Sequence, residues 1–211
     1  MAENKDEQLT DEELAQLQLA EENENAVDRL VQELGCPTRR IRQFAARVLH
    51  LLAERDPQRV VPCVPALIEA LDRPEAQTRW EALGALCKLA ETHPDLVEKA
   101  YEGAETSLFD ENSSRVRIEA FRMLASLGAT SPEKSDKVWP LLDEAIQCFH
   151  GDPGYRAMLD SLVDFAAGAA SDEVKEALVS RLTFDAENGR GYIKTCSQSV
   201  IAAAKGETAD K

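Results

Sequence analysis

The segment LIEALDRPEAQTRWEALGALCKLA (67–90) decides the fold, because its pattern recurs along the chain. The segment LFDENSSRVRIEAFRMLASLG (108–128) has the same plan: an apolar stretch, a polar turn that contains Asp, and an Arg near the start of a second apolar stretch. In both segments, small or apolar residues follow that Arg by three, six and seven positions, which is the spacing of one face of an α-helix. The sequence therefore repeats a pair of helices.

Further copies extend the repeat in both directions. Their cations, at positions 42, 79, 117, 156 and 194, are separated by 37, 38, 39 and 38 residues. Because one helix pair cannot bury its apolar stripe alone, the repeat predicts an all-α fold, a right-handed α-α superhelix (an α-solenoid) of about five stacked pairs. The second helices are expected at 41–53, 78–90, 116–128, 155–167 and 193–204, and the first helices at 26–34, 60–71, 96–109, 137–149 and 173–184.

The two quoted segments resemble the HEAT repeat of the HEAT/armadillo-like α-solenoid family. The resemblance covers roughly residues 25–204, and it departs from the pattern where Gly35 stands in place of the turn Asp and Lys194 in place of the Arg. It implies that the second helices line a concave surface and that turn acids and helix cations form a hydrogen-bonded ladder. The ladder residues implied in this way are Asp72, Arg79, Asp110, Arg117 and Arg156.

Charge is distributed unevenly along the chain. The formal net charge is -15, and residues 1–24 hold nine acids and one Lys. The next charged region has six Arg between positions 39 and 59 against two acids. This acidic balance argues against nucleic acid as the partner, because phosphate binding uses clustered cations. The basic patch consists of Arg39, Arg40, Arg42, Arg47, Arg55 and Arg59.

The acidic head has two readings. Thr10 followed by Glu13 has the pattern of a capping box, with Leu14 and Leu17 forming an apolar edge over the next turns. A helix at about 10–22 would cap the first pair or lie across the Arg39/Arg40/Arg42/Arg47 patch; the alternative is a solvated tail. The expected organisation is 1–24 as tail or capping helix, 25–204 as solenoid and 205–211 as a C-terminal tail.

Several functional classes find little support in the sequence. The segment 1–24 lacks the pattern of a signal peptide, and no apolar run is long enough to span a membrane, so a cytoplasmic protein is expected. The five cysteines form no C-x-x-C pair and are expected to be reduced and structural. Nucleotide-binding and nucleophile motifs are absent, so neither catalysis, cofactor nor metal site is expected.

The expected binding surface is the groove lined by the second helices. Positions one, five and eight beyond each cation should face it, and they bring Trp80 and Ile118 to equivalent places with small residues such as Gly84 beside them. A Trp among Arg residues suits a bound helix or peptide, whereas the alternative is that Trp80 packs between helices and the Arg residues are solvated. The candidate partner-binding residues are Arg47, Trp80, Ile118, Arg122, Asp160 and Asp164.

Three functions follow as hypotheses. The first is a non-catalytic scaffold or adaptor that binds a protein or peptide partner in its groove, as a monomer or weak homo-oligomer. The second is nucleic-acid binding or DNA repair through the Arg39–Arg59 patch, as in HEAT-like alkylpurine DNA glycosylases. The third is a lyase-type enzyme or chaperone that acts on a cofactor-carrying protein, as in HEAT-like bilin lyases.

Overall fold

The computed structural model describes residues 9–207, which are helical apart from short turns. Helices stand where the repeat predicted them, and the segment 155–167 coincides with a helix at both ends. The helices are α1 (Asp11–Glu22), α2 (Glu24–Leu34), α3 (Arg39–Arg55), α4 (Pro57–Val60), α5 (Val64–Ala70), α6 (Ala76–Ala90), α7 (Pro94–Val97), α8 (Tyr101–Leu108), α9 (Ser114–Gly128), α10 (Pro132–Cys148), α11 (Tyr155–Ala167), α12 (Asp172–Asn188) and α13 (Tyr192–Ala204).

Local sequence explains where many helices begin. The capping box predicted at Thr10 is present: its hydroxyl accepts from the Glu13 amide, and the Glu13 carboxylate accepts from the Thr10 amide at 2.8 Å. Pro57, Pro94 and Pro132 occupy the first turn of their helices, where a missing N–H costs nothing. Pro153 differs from these three prolines, since it lies in the turn before α11 and Gly154 is the N-cap.

Two first helices are interrupted by a 3-10 turn. One turn spans Val61–Cys63 between α4 and α5, and the other spans Glu98–Ala100 between α7 and α8. In the first case Pro62 lies within the turn and Pro65 follows it in the first turn of α5, and neither can donate a backbone hydrogen bond. Each interrupted segment therefore acts as one bent first helix of a pair.

The helices form two layers. The second-helix layer contains α3, α6, α9, α11 and α13, each packed on its neighbours, and the first-helix layer contains α2, α4 with α5, α7 with α8, α10 and α12. α1 packs on α3 and α2, and it therefore extends the second-helix layer at its N-terminal end. Each helix pair supplies one element to each layer, as expected for an α-solenoid.

The core lies between the layers, and the repeat cations predict its positions. The residues three and six positions beyond each cation are fully buried in all five repeats, so the helical face inferred from the sequence is confirmed. Most are Ala, Leu, Val or Met, and small side chains allow the helices to pack closely. These residues are Ala45, Ala82, Ala120, Leu159 and Ser197 at the first position, and Val48, Ala85, Met123, Leu162 and Val200 at the second.

Among the described residues, no helix has both the length and the apolar character that crossing a membrane requires.

Candidate groove of the second-helix layer

Two ion pairs, one half-buried and one buried, connect neighbouring repeats at the turns. The Arg79 guanidinium donates to Asp110 Oδ2 at 2.7 Å, from the second helix of one repeat to the turn of the next. Arg42 makes the equivalent contact with both carboxylate oxygens of Glu75, and it also donates to the Cys36 carbonyl at 2.6 Å. These pairs fix the spacing of successive repeats below the groove.

The Arg42–Glu75 pair corrects the ladder that the resemblance implied. Asp72 is exposed, whereas the Glu75 side chain is 6% exposed and accepts from Arg42. The hydrogen bond from Arg42 holds the pKa of the Glu75 carboxyl below its usual range. Arg42, expected in the basic patch, is therefore a buried structural cation.

The ladder does not continue into the last two repeats. Arg117 donates to the backbone carbonyl of Asp110 at 2.8 Å and stacks over the Phe149 ring at 4.9 Å. Arg156 is exposed and lies 4.0 Å from Asp160 on its own helix. The Arg–carboxylate ladder at the turns therefore stops after Asp110, and the later repeats are linked elsewhere, for example by Arg181, which donates to both carboxylate oxygens of Asp143.

A buried carboxylate, Glu81, organises the surface between α3 and α6. Its side chain is 2% exposed and accepts from His50 Nδ1 at 2.6 Å and from Trp80 Nε1 at 3.0 Å. Arg47 Nη1 lies 3.5 Å from the same carboxylate. We call these four residues, Glu81, His50, Arg47 and Trp80, the Glu81 cluster.

The cluster keeps Glu81 ionised. Burial raises the pKa of this carboxyl, but the hydrogen bond from His50, the nearby charges of His50 and Arg47, and the indole N–H of Trp80 together outweigh burial and lower the pKa. A buried carboxylate with several donors is stable only while those donors remain in place. The cluster therefore joins two adjacent second helices as one unit.

The structure does not form the pocket that the sequence predicted around Trp80. The indole is half-buried, bonded to Glu81 and covered by the Arg115 guanidinium at 4.9 Å. The space beside Gly84 is filled by the His50 ring, whose Cε1 would lie 2.4 Å from a Cβ added to that glycine. Ile118, at the equivalent place in the next repeat, packs against Gly154 instead.

A recess of about 280 Å³ opens further along the same layer, between α6, α9 and α11. Its floor and walls are small side chains, and its charged groups come from α9 and α11. The lining residues are Cys87, Arg122, Ser126, Ala157, Asp160, Ser161 and Asp164. The six predicted partner-binding residues are thus divided: Arg122, Asp160 and Asp164 share this recess, while Arg47, Trp80 and Ile118 lie outside its lining.

The polar groups of the recess differ in how they are satisfied. Cys87 Sγ and Ser126 Oγ are 3.3 Å apart, and Ser161 donates to the Ala157 carbonyl at 2.8 Å. Arg122 is 44% exposed and donates to Glu119 of its own helix at 3.0 Å. The two aspartates are exposed at the rim of the recess. Arg122, Asp160 and Asp164 therefore retain exposed polar surface that can contact a bound chain.

The thiol in the recess is not an activated nucleophile. Burial raises the pKa of the Cys87 thiol, so at neutral pH it stays protonated. In the described part of the chain, no group of three or more His, Cys, Asp or Glu side chains is placed to hold a metal ion. Cys148 and His150, a C-x-H pair in the sequence, lie at the end of α10, where His150 Nε2 is 3.0 Å from Asp185.

The Arg39–Arg59 patch is divided by its surroundings. Arg47 belongs to the Glu81 cluster, Arg55 donates to Glu21 at 2.8 Å, and Arg59 lies 3.5 Å from Asp56. Arg39 and Arg40 are exposed at the start of α3. With Arg42 buried, the six arginines do not form one continuous cationic surface.

The structure also shows two site residues that the sequence reasoning missed. Glu75 and Glu81 are both buried, and each bridges neighbouring repeats. Glu81 had a readable signal, because it falls on the same helical stripe as Thr78, Ala82 and Ala85, all fully buried. Glu75 had no such signal in the sequence, since Asp72 stands in the same turn and could equally have been the acid that pairs with an Arg.

Comparison with known proteins identifies the fold alone. The sequence matches no protein-family model, and no curated protein is similar to it. Solved structures do match. A designed armadillo repeat protein in complex with the peptide (KR)4 is 14% identical with a TM-score of 0.71, and the match covers 91% of each chain.

Two further structures agree. A computationally designed armadillo repeat protein for modular peptide recognition is 16% identical with a TM-score of 0.65, over 90% of both chains. The archaeal HEAT-like repeats protein from Thermococcus onnurineus NA1 is 18% identical with a TM-score of 0.64, over 96% of this chain and 79% of that one. The all-α fold is therefore that of a HEAT/armadillo-like α-solenoid.

Proposed function

We propose that this protein is a non-catalytic scaffold that binds a peptide or helix of a partner protein across its second-helix layer. The recess between α6, α9 and α11 carries the proposal, because it is an open concavity of about 280 Å³ with small side chains inside and charged ones at its rim. Concave sites with a few convergent polar groups are typical of ligand binding.

The position of the recess supports an extended partner. The second-helix layer continues on both sides of it, with the Glu81 cluster towards the N-terminus and α13 towards the C-terminus. Repeat surfaces of this kind bind extended segments over several repeats. Arg122 on one wall and Asp160 with Asp164 on the other provide both signs of charge, which can set the orientation of the bound chain.

The structural relatives are consistent with this use of the fold. One similar structure is a designed armadillo repeat protein that holds the peptide (KR)4, and another was designed for modular peptide recognition. The fold therefore accommodates peptides elsewhere. For this chain, the recess is the surface on which such binding is proposed.

Selection of peptides from a random display library against the full-length protein tests the proposal. We expect enriched peptides whose binding is lost in Ala157→Trp, because the larger side chain fills the recess. Ala167→Trp, at an exposed alanine of the same helix outside the recess lining, is the matched control and should bind normally. Equal binding to both variants, or no enrichment, would refute groove binding.

The nucleic-acid and enzymatic alternatives gain no specific support from the structure. The cations proposed for nucleic acid are mostly paired with acids, and Cys87 in the recess is a protonated thiol. A salt titration against duplex DNA tests the nucleic-acid alternative, since binding through phosphate contacts weakens steeply as the salt concentration rises. We expect no salt-sensitive binding to DNA.

A further inference from the structure

The N-terminal helix α1 packs beside α3 in the place of a further second helix. Glu13 lies 4.0 Å from Arg47, and Glu21 accepts from Arg55 at 2.8 Å. Glu21 lies eight residues after Glu13 on α1, and Arg55 lies eight residues after Arg47 on α3. The two helices therefore run in the same direction. This is the relation expected between second helices of adjacent repeats.

The attachment of α1 is narrow. Leu17 and Ala20 are the buried residues of this helix, which packs on α2 and α3 and is joined to α3 by two ion pairs. One residue, Asn23, separates α1 from α2 and serves as C-cap of the first and N-cap of the second. An isolated helix of 12 residues is marginal in water, so α1 depends on this contact to stay helical.

The surface beneath α1 is therefore specific in chemistry. It offers a small apolar site for Leu17 and Ala20, flanked by two arginines spaced by two helical turns. α1 fits it because its sequence has glutamates at the matching spacing and no basic residue in its last turn. The chemistry of α1 therefore indicates the kind of ligand that this surface recognises, which is a helix with apolar residues and two glutamates at this spacing.

We propose that the α3 surface beneath α1 is an exchangeable docking site for an acidic amphipathic helix of a partner protein, and that α1 is its built-in competitor. The partner helix would place a Leu and an Ala in the apolar site and a carboxylate on each arginine, as α1 does. Release of α1 also frees the N-terminal edge of the second-helix layer. This site is separate from the recess, which lies between other helices.

A peptide that copies residues 9–24, labelled with a fluorophore, is a suitable probe for the full-length protein. In the wild type, the tethered α1 competes at an effective concentration of about 1 mM, so the peptide should bind weakly. Leu17→Ala in the protein weakens α1 alone, and we expect it to bind the unaltered peptide at least tenfold more tightly. Leu19→Ala, at an exposed leucine of the same helix, is the matched control and should behave like the wild type.

Charge variants identify the contact. Adding Arg55→Gln to the Leu17→Ala protein should reduce peptide affinity severalfold and flatten its salt dependence, whereas Arg59→Gln should not. Arg55→Glu should lose the peptide and recover it when Glu21 of the peptide is replaced by Arg. Circular dichroism confirms that each variant remains folded, and Glu21→Gln in the protein provides a second, milder release.

Three results would overturn the proposal. The first is peptide affinity that is equal in the Leu17→Ala and Leu19→Ala proteins. The second is hydrogen exchange in α1 as slow as in α6, because α1 would then open only by global unfolding. The third is a dimer of the wild type that the peptide dissociates, which would assign the surface to a second copy of the chain.

Discussion

His50 on α3 donates from Nδ1 to the buried carboxylate of Glu81 on α6 at 2.6 Å. The two residues are 31 positions apart, and their contact joins neighbouring repeats on the N-terminal side of the recess. Trp80 and Arg47 complete the same carboxylate's contacts. Substitutions in this cluster therefore test how much these contacts stabilise the N-terminal half of the second-helix layer.

Replacing Glu81 should destabilise the protein strongly. Glu81→Ala leaves the indole N–H of Trp80 and the cation of Arg47 without their buried acceptor, and removal of one partner from such a cluster costs about 3 kcal/mol. Urea unfolding followed by tryptophan fluorescence measures the change. Glu119→Ala, two positions beyond the Arg of the next repeat, removes a pair with Arg122 and should cost no more than about 1 kcal/mol. Similar losses in both variants would contradict the role given to Glu81.

Acid should remove the stabilisation that Glu81 provides. Its pKa in the folded protein is below the ordinary value of 4.5, so its contribution is present above pH 4.5 and is lost as the pH falls towards the folded pKa. The free energy of unfolding of the wild type should therefore decline more steeply below pH 4.5 than that of Glu81→Gln. Parallel pH profiles for the two proteins would show that Glu81 has no lowered pKa.

The link between the first two repeats should depend on Glu75 and not on Asp72. Arg42→Ala leaves the buried Glu75 carboxylate without its guanidinium, with an expected loss of about 3 kcal/mol. Asp72→Asn alters an exposed side chain and should change stability by no more than about 0.5 kcal/mol. Thermal unfolding of both variants distinguishes the two acids, and a large effect of Asp72→Asn would restore the implied ladder.

The close approach of His50 to Gly84 gives a coupling experiment. In Gly84→Ala the new methyl group meets the imidazole, and we expect a net loss of about 1 to 2 kcal/mol despite the better helix propensity of Ala. In a His50→Ala background the same change should be neutral or stabilising. A double-mutant cycle measures this difference, and additive effects would show that the two positions do not interact.

The helical pairs were predictable because they depend on residue spacing. Positions three and six beyond each cation are buried in all five repeats, including the repeat that carries Lys194 in place of Arg. Burial of an apolar face at this period needs no knowledge of distant contacts. The contacts of the binding residues were less predictable. Trp80, Ile118 and Arg122 all fall on the helical face predicted to line the groove, and yet each meets different neighbours.

The all-α repeat, the helix positions and the capping box at Thr10 can be derived from the amino-acid pattern, since each follows from local spacing and hydrogen bonding within a few residues. Which acid meets which cation depends instead on the packing of distant residues. Glu75 and Asp72 are three residues apart in one turn, and the choice of partner for Arg42 depends on how adjacent repeats are stacked. The same stacking pairs Glu21 with Arg55 and buries Glu81 with His50. Each of these contacts joins residues more than 30 positions apart, so local sequence patterns do not predict them.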